Sequence, residues 1–335
     1  MSVTFTVQRG SQSGKIVQDT SHRQLGRNDA YVKITHSGLC GTDEHYLHRG
    51  IVLGHEGIGI VEAVGSDVTS VKVGDRVGFG WVHKTCGRCE YCLTGLDSYC
   101  DNKAEFGTHD HDVGSFASHA VWDADALYKI PDGLDSADAA PLMCGGATVW
   151  TPFALYGIRS TDRVGVVGIG GLGHLAIQFG AKMGCKVVVF SSSESKREDA
   201  MRLGASEFHV LTADSSLEGI KPVKHMLLCG NAQPDYSRFD YSIIPLTASA
   251  GKIYNLTVSL DKTPMPMLPL LMRGISIQGS AGAPRVEIRR ILEFAAQHGI
   301  KPAIMKWPLN TQGVEDAMKT LREGKMRYRG VLVAE

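Results

Sequence analysis

The segment VGVVGIGGLG, residues 164–173, constrains the fold of this chain more than any other. Its compact apolar run (164–167) reads as a buried strand. Gly168, Gly170, Gly171, Leu172 and Gly173 complete a G-x-G-x-x-G loop, and a helical pattern continues through residue 183. Such glycines allow a tight turn and close backbone approach to a pyrophosphate, whose charge the helix N-terminus receives. A second apolar strand over 186–190 and a helix over 196–203 follow, then short strands over 225–229, 252–256 and 275–278. Strands alternating with helices imply an α/β class with a doubly wound parallel sheet, the Rossmann arrangement.

The rest of the chain has a different texture. At 335 residues it is too long for one ordinary core. Residues 1–146 carry short β-rich runs (30–35, 57–64, 71–77) and many glycines, which suits an irregular β domain with functional loops. The nucleotide-binding texture occupies 147–280. Over 281–335 the chain reads as an amphipathic helix (286–297), a second helix (313–322) and a closing strand (330–334), and this tail is expected to rejoin the first domain.

Within the first domain the cysteines form two patterns. Cys86, Cys89, Cys92 and Cys100 lie in one stretch, CGRCEYCLTGLDSYC, with spacing C-x2-C-x2-C-x7-C. Four thiolates at this spacing suit a closed, tetrahedral structural zinc site; an iron–sulfur cluster is the alternative on spacing alone. Cys40, His55 and Cys144 are dispersed. Two soft ligands and an imidazole would leave one tetrahedral position open, where a metal can polarise a carbonyl or alkoxide oxygen. Taken singly, Cys40 and Cys144 read more readily as buried packing residues, and His55 as a satisfied core histidine. Cys185 and Cys229 sit in apolar contexts and read as buried packing residues.

Lys plus Arg equals Asp plus Glu, 35 each, so the chain offers phosphate-rich partners no surplus of cations. Nucleic acid and anionic membrane are therefore not expected partners. No stretch approaches the ~20 apolar residues of a membrane span. The opening MSVTFTVQRGSQSGK lacks the charged-then-apolar pattern of a secretory signal. With cysteines at metal spacing, this makes a reducing, cytoplasmic setting the expectation.

The strings Cys40-Gly41-Thr42-Asp43, Gly54-His55-Glu56, the four-cysteine loop, Cys144 and the glycine loop occur in this order. Together they resemble the zinc-containing medium-chain alcohol dehydrogenases, and GIGGLGHLAIQFGAKMGCKVVVFSSS and Arg327-Tyr328-Arg329 resemble the cinnamyl-alcohol-dehydrogenase-like branch. The resemblance spans essentially the whole chain. It implies a GroES-like catalytic domain beside the Rossmann domain, with two zinc ions per chain. Cys40, His55 and Cys144 would be the catalytic ligands, and Glu56 an alternate fourth. Asp43 would orient the His55 ring, Thr42 would handle the alcohol proton and His45 would pass it to solvent. Thr148 would contact the nicotinamide and Arg329 the cofactor phosphates. A homodimer joined by short strands near 275–278 is also implied. One departure is visible: only fourteen residues, GTDEHYLHRGIVLG, separate Cys40 from His55, so a more open pocket is expected. Tyr46, Trp81, His83 and Phe106 are pocket candidates by closeness to the motifs.

NAD-binding loops usually place an acidic residue ~20 positions beyond the glycines, on the ribose hydroxyls. Here Ser191, Ser192 and Ser193 stand there, followed by Lys196 and Arg197. Hydroxyls in place of a carboxylate at the strand end, with cations following, suit a 2′-phosphate, so NADP(H) is the expected cofactor. The function that follows is a zinc-dependent NADP(H) alcohol dehydrogenase acting as an aldehyde reductase on a small molecule. Reduction of an iminium or an activated C=C bond is the alternative, because the short Cys40–His55 connection would admit bulky substrates. A non-catalytic zinc and nucleotide binder is the third reading, disfavoured by the complete tripod.

Overall fold

A computed structural model describes residues 1–212, 214–230, 242–258 and 265–334. The chain divides into two compact units, Met1–Ala147 with Gly282–Glu335, and Thr148–Ala281.

The first unit is built on a seven-stranded sheet. Its order is Ile304–Pro308, Arg329–Val333, Asp29–Leu39, Gly57–Val64, Arg76–Phe79 and Tyr128–Lys129, with His119–Asp123 also pairing with Asp29–Leu39. An N-terminal hairpin of Ser2–Arg9 and Val17–Gln24 lies outside that sheet. The Asp29–Leu39 strand alternates buried Ala30, Val32 and Ile34 with more exposed neighbours, the period-two pattern of a sheet with one face on a core. That core gathers Phe5, Val32, Ile34, Val61, Phe79 and Trp122. A second apolar cluster joins Leu39, Leu47, Leu53, Phe106 and Phe116 to Val314, Ala317 and Met318 of the Thr311–Arg322 helix. The tail thus packs within the first unit. The run 71–77 is a strand only from Arg76 onward: residues 71–75 turn instead, with Gly74 at φ +89°, a conformation that favours glycine.

The second unit holds a parallel sheet in the order Glu207–Val210, Lys186–Ser191, Arg163–Val167, Val223–Leu228, Thr247–Asn255, Ser276–Gly279. The order runs outward in both directions from Arg163–Val167, the doubly wound topology expected of the alternating pattern. The inner strands are buried almost throughout, Val187 to Phe190 completely, as befits a parallel sheet covered on both faces. Ser276–Gly279 is an edge strand. It and the preceding Met267–Arg273 helix expose Ile277, Met267, Leu268, Leu271 and Met272, the last four at 69–75%.

Among the described residues no helix is long and apolar enough to cross a membrane.

Candidate active site and its neighbouring thiolate site

Strand register assembles the dispersed ligands. Asp29–Leu39 and Gly57–Val64 pair antiparallel, with Ser37 opposite Gly57. Cys40 follows the first strand and His55-Glu56 precede the second, so both arrive at the same end of the pair. Cys144 comes from the end of the Ala140–Met143 turn. Cys40, His55, Glu56 and Cys144 each bring a ligand atom within 4.8 Å of the others. The Cys40 and Cys144 sulfurs are 3.9 Å apart. A tetrahedral zinc with Zn–S of about 2.3 Å has S–S edges of about 3.8 Å, so the spacing fits one metal ion.

Asp43 organises this cluster. It is completely buried on the Gly41–Tyr46 helix, of which Cys40 is the N-cap. Its Oδ2 accepts the Cys40 N–H at 3.0 Å, and its Oδ1 accepts the Gly54 N–H at 3.0 Å. Oδ1 also receives His55 Nδ1 at 3.2 Å. One carboxylate therefore fixes the backbone on both sides of the tripod and holds the His55 proton on Nδ1. That leaves Nε2 with its lone pair directed away from Asp43. Nε2 is buried without a hydrogen-bond partner, as is Glu56 Oε2. Orphaned buried polar atoms beside two thiols are costly unless a cation joins them, displacing any proton on Nε2, and the donor set suits zinc.

Electrostatics agree. Burial works against a charged His55, but Asp43 and the neighbouring Cys40 sulfur outweigh it and raise the imidazole pKa well above its ordinary value. The shared contact with Cys144 holds the Cys40 thiol well below the usual range and pushes Cys144 well above it. Burial lifts the Glu56 carboxyl to about 7, with Arg329 pulling the other way. A cluster this crowded holds one negative sulfur readily and the second only with an added cation.

Glu56 depends on space made elsewhere. A Cβ on Gly38 would fall 1.9 Å from Glu56 Oε2. The Glu56 N–H donates to Ser115 Oγ at 3.3 Å, and Ser115 Oγ lies 2.6 Å from Ser37 Oγ. No sequence signal marks Gly38 or Ser115 as part of the site.

The remaining candidates separate. Thr42 Oγ1 lies 3.5 Å from Cys40 Sγ, half-buried, while His45 on the same short helix is exposed. Arg329 begins the strand beside Leu39; it is buried, and its guanidinium pairs with Glu56 in the ligand cluster rather than standing at a surface. Trp81, Phe106 and Tyr46 form an aromatic group against His55, with the Trp81 ring edge-on to the imidazole at 5.5 Å and Phe106 at 4.9 Å. His83 does not join them. It is buried 3.8 Å from the Trp122 ring, and burial pushes its pKa down to about 3, so it packs the interior instead of lining a pocket.

The four-cysteine loop forms the second cluster. Cys86, Cys89, Cys92 and Cys100 also bring their sulfurs within 4.8 Å of one another, with Cys86–Cys92 at 3.9 Å and Cys89–Cys92 at 3.5 Å. These separations fit one tetrahedral ion of zinc's radius, whereas a polynuclear iron–sulfur cluster must hold its thiolates farther apart. Backbone N–H groups of Arg88 and Cys89 lower the Cys86 thiol to about 6. Cys185 and Cys229 lie buried away from both clusters, and burial raises their thiols to about 11 and about 12.

In the second unit the glycine loop leaves the central strand. Gly168 has φ +88°, and a Cβ there would meet Gly230 Cα at 2.8 Å. A Cβ on Gly173 would lie 1.9 Å from the Gly168 carbonyl, so only glycine lets the helix start this close to the strand. Gly170, Gly171 and Leu172 lie between, and Leu172 caps the Gly173–Lys182 helix. Ser191 ends the adjacent strand and is buried; Ser192 and Ser193 follow it at the surface. Lys196 Nζ donates to the Ile169 carbonyl at 2.7 Å, which brings a cation onto the loop. Arg197 is turned elsewhere, pairing with Glu194 and lying 4.6 Å over the Phe208 ring. Thr148 lies half-buried on the Gly145–Leu155 helix.

Comparison with known proteins agrees with this architecture. Residues 26–132 match the alcohol dehydrogenase GroES-like domain, and residues 171–297 match the zinc-binding dehydrogenase domain. The chain is 33% identical over 320 residues to an aldehyde reductase from Synechocystis, covering 92% of each chain. It is 34% identical over 332 residues to cinnamyl alcohol dehydrogenase 3 from Arabidopsis thaliana, covering 93% of this chain and 86% of that one. Among solved structures, a cinnamyl alcohol dehydrogenase from Sorghum bicolor superposes with a TM-score of 0.89 at 29% identity, covering 99% and 98% of the two chains. The chain belongs to the zinc-dependent medium-chain alcohol dehydrogenases, in their cinnamyl-alcohol-dehydrogenase-like branch.

Proposed function

We propose that the protein is a zinc-dependent, NADP(H)-linked alcohol dehydrogenase working as an aldehyde reductase. The observation that carries this reading is Asp43 holding His55 by Nδ1 while Nε2 stands unpartnered beside two thiols. Relatives described as an aldehyde reductase and as cinnamyl alcohol dehydrogenases support it.

In this reading Cys40, His55 and Cys144 hold the catalytic zinc, and Cys86, Cys89, Cys92 and Cys100 hold a structural one. The bound zinc supplies carbonyl polarisation and the reduced nicotinamide supplies hydride. The chain's own residues do the rest. Asp43 keeps the His55 proton on Nδ1 and so keeps Nε2 basic. Thr42 Oγ1, beside Cys40, delivers the proton that completes the alcohol. His45, exposed on the same helix, draws its replacement from water. Arg329 balances the Glu56 charge and holds that carboxylate back as an alternate ligand.

The nucleotide preference follows from the strand end after the glycine loop. Ser191, Ser192 and Ser193 replace the acidic residue that would repel a 2′-phosphate, and Lys196 supplies a cation. Residues 1–146 and 281–335 would carry both metal sites, and 147–280 the nucleotide. A homodimer is part of the same reading: the Ser276–Gly279 edge strand and the apolar Met267–Arg273 face suit a second copy of the chain. A cytoplasmic location fits the free thiols.

The test is NADPH oxidation against aromatic and aliphatic aldehydes, with metal content and mass in solution measured on the same sample. Turnover with two zinc ions per chain supports the reading. Two zinc ions and tight NADPH binding without aldehyde turnover overturn it.

A further inference from the structure

Glu105 joins two parts of the first unit that the zinc sites treat separately. Its Oε1 accepts the Trp81 indole N–H at 3.0 Å. The same oxygen lies 3.0 Å from the Lys103 ammonium, and Lys103 donates to the Ser98 carbonyl at 2.7 Å. Ser98 lies in the Asp97–Tyr99 turn, between Cys92 and Cys100, so this carbonyl belongs to the four-cysteine loop. That end of the loop is itself anchored, because Asp97 accepts the Arg285 N–H at 2.9 Å and pairs with its guanidinium.

At the other end of this chain of contacts stands the Trp81 ring, perpendicular to His55 at 5.5 Å and 6.2 Å from Tyr46. His55 and Phe106 are completely buried, whereas Trp81 and Tyr46 keep exposed surface. The Trp81 indole is thus a partly exposed ring packed against the histidine of the tripod. A partly exposed ring has room to turn. A hydrogen bond to a carboxylate, stronger than one between neutral groups, fixes it.

We propose that Glu105 is a positioning residue: it holds Trp81 as a wall beside the Cys40–His55–Cys144 cluster and, through Lys103, ties that wall to the four-cysteine loop. Flat aromatic aldehydes, which stack on the indole, sense the wall; acetaldehyde is too small to do so. The kinetic part rests on the reductase reading, and the spectroscopic part does not.

The experiment uses holoenzyme labelled with fluorotryptophan, its zinc counted, and the Trp81 resonance assigned with Trp81→Phe. Glu105→Leu should shift and broaden that resonance. It should also raise the KM for benzaldehyde roughly three- to tenfold, the size of one hydrogen bond, with the acetaldehyde KM held within about twofold. Lys103→Met should move the resonance in the same direction by less. Glu105→Gln, whose amide oxygen still accepts the indole N–H but no longer pairs with Lys103, should return resonance and KM to about the level of Lys103→Met. An unmoved resonance with unchanged benzaldehyde KM in Lys103→Met and Glu105→Leu overturns the proposal, as does failure of Glu105→Gln to rescue. If Glu105→Leu does not fold, Lys103→Met alone decides. Wild-type enzyme that reduces no aldehyde sinks the reductase reading, and the resonance still decides Glu105.

Discussion

The two cysteine clusters of the first unit each hold one sulfur pair at 3.9 Å and have opposite construction. The four-cysteine loop takes all its ligands from fifteen consecutive residues and needs only tight turns to close. The Cys40–His55–Cys144 cluster takes them from three separated segments and needs the sheet register, the Asp43 carboxylate and the Glu56–Arg329 pair to bring them together. A site built locally with four thiolates has nothing left to offer a substrate and can serve only as a staple. A site built by the fold can leave one position for chemistry, and its geometry is only as good as the supports around it.

That contrast is broken most severely at the tripod. His55→Ala or Cys144→Ser should lower kcat/KM by at least ~1,000-fold, because the polarising metal is lost. Zinc should fall from two ions to one per chain, and the melting temperature should change little. Atomic absorption beside steady-state kinetics checks this. Equal loss of both ions would mean that the two clusters do not hold metal independently.

Cys100→Ser reverses the pattern. Cys100 is the buried ligand of the loop, at 1% exposure. Its loss should remove the other zinc and lower the melting temperature by on the order of 10 °C, because a structural site's binding energy is folding energy. Activity at low temperature should survive in part, read by calorimetry and by kinetics at two temperatures. Asp43→Asn tests the supports. An amide offers one acceptor where the carboxylate uses two oxygens against three N–H groups. It should weaken zinc binding or activity about 10- to 100-fold while leaving every ligand in place. A chelator titration followed by residual activity reads that change.

The same contrast explains what the sequence made legible. The four-cysteine spacing and the strand–glycine–helix run are local patterns, and each appears in the structure where the pattern put it. The tripod became readable only through the order of its strings, because three dispersed residues carry no period of their own. Asp43 was reachable through that resemblance. Gly38, Ser115 and Glu105 were not, since each acts across the fold on a residue far along the chain. Arg197 shows how a local neighbour complicates such a reading. A cation beside the nucleotide loop reads as a phosphate ligand, yet Glu194, three residues away, takes its charge. His83 likewise sits near the motifs in sequence and packs on Trp122 in space.

His83 also gives the smallest expected effect, and one with a sign. It stands on the Val82–Lys84 strand that leads into the four-cysteine loop. Burial depresses its folded pKa to about 3, while the unfolded chain titrates near ~6.5. Between these values the unfolded state binds the extra proton, so stability is complete above pH ~6.5 and declines as pH falls toward ~3. The slope approaches ~1.4 kcal/mol per pH unit. His83→Asn should flatten that limb. The stability difference between variant and wild type should therefore move in the variant's favour by about 2 kcal/mol between pH 7 and pH 5. Zinc loss at acid pH affects both proteins alike, so the difference isolates the histidine. Denaturant unfolding of the two proteins at both pH values makes the measurement. Parallel pH profiles would mean that His83 gains its proton in the folded state, and that the strand entering the four-cysteine loop opens more easily than its burial implies.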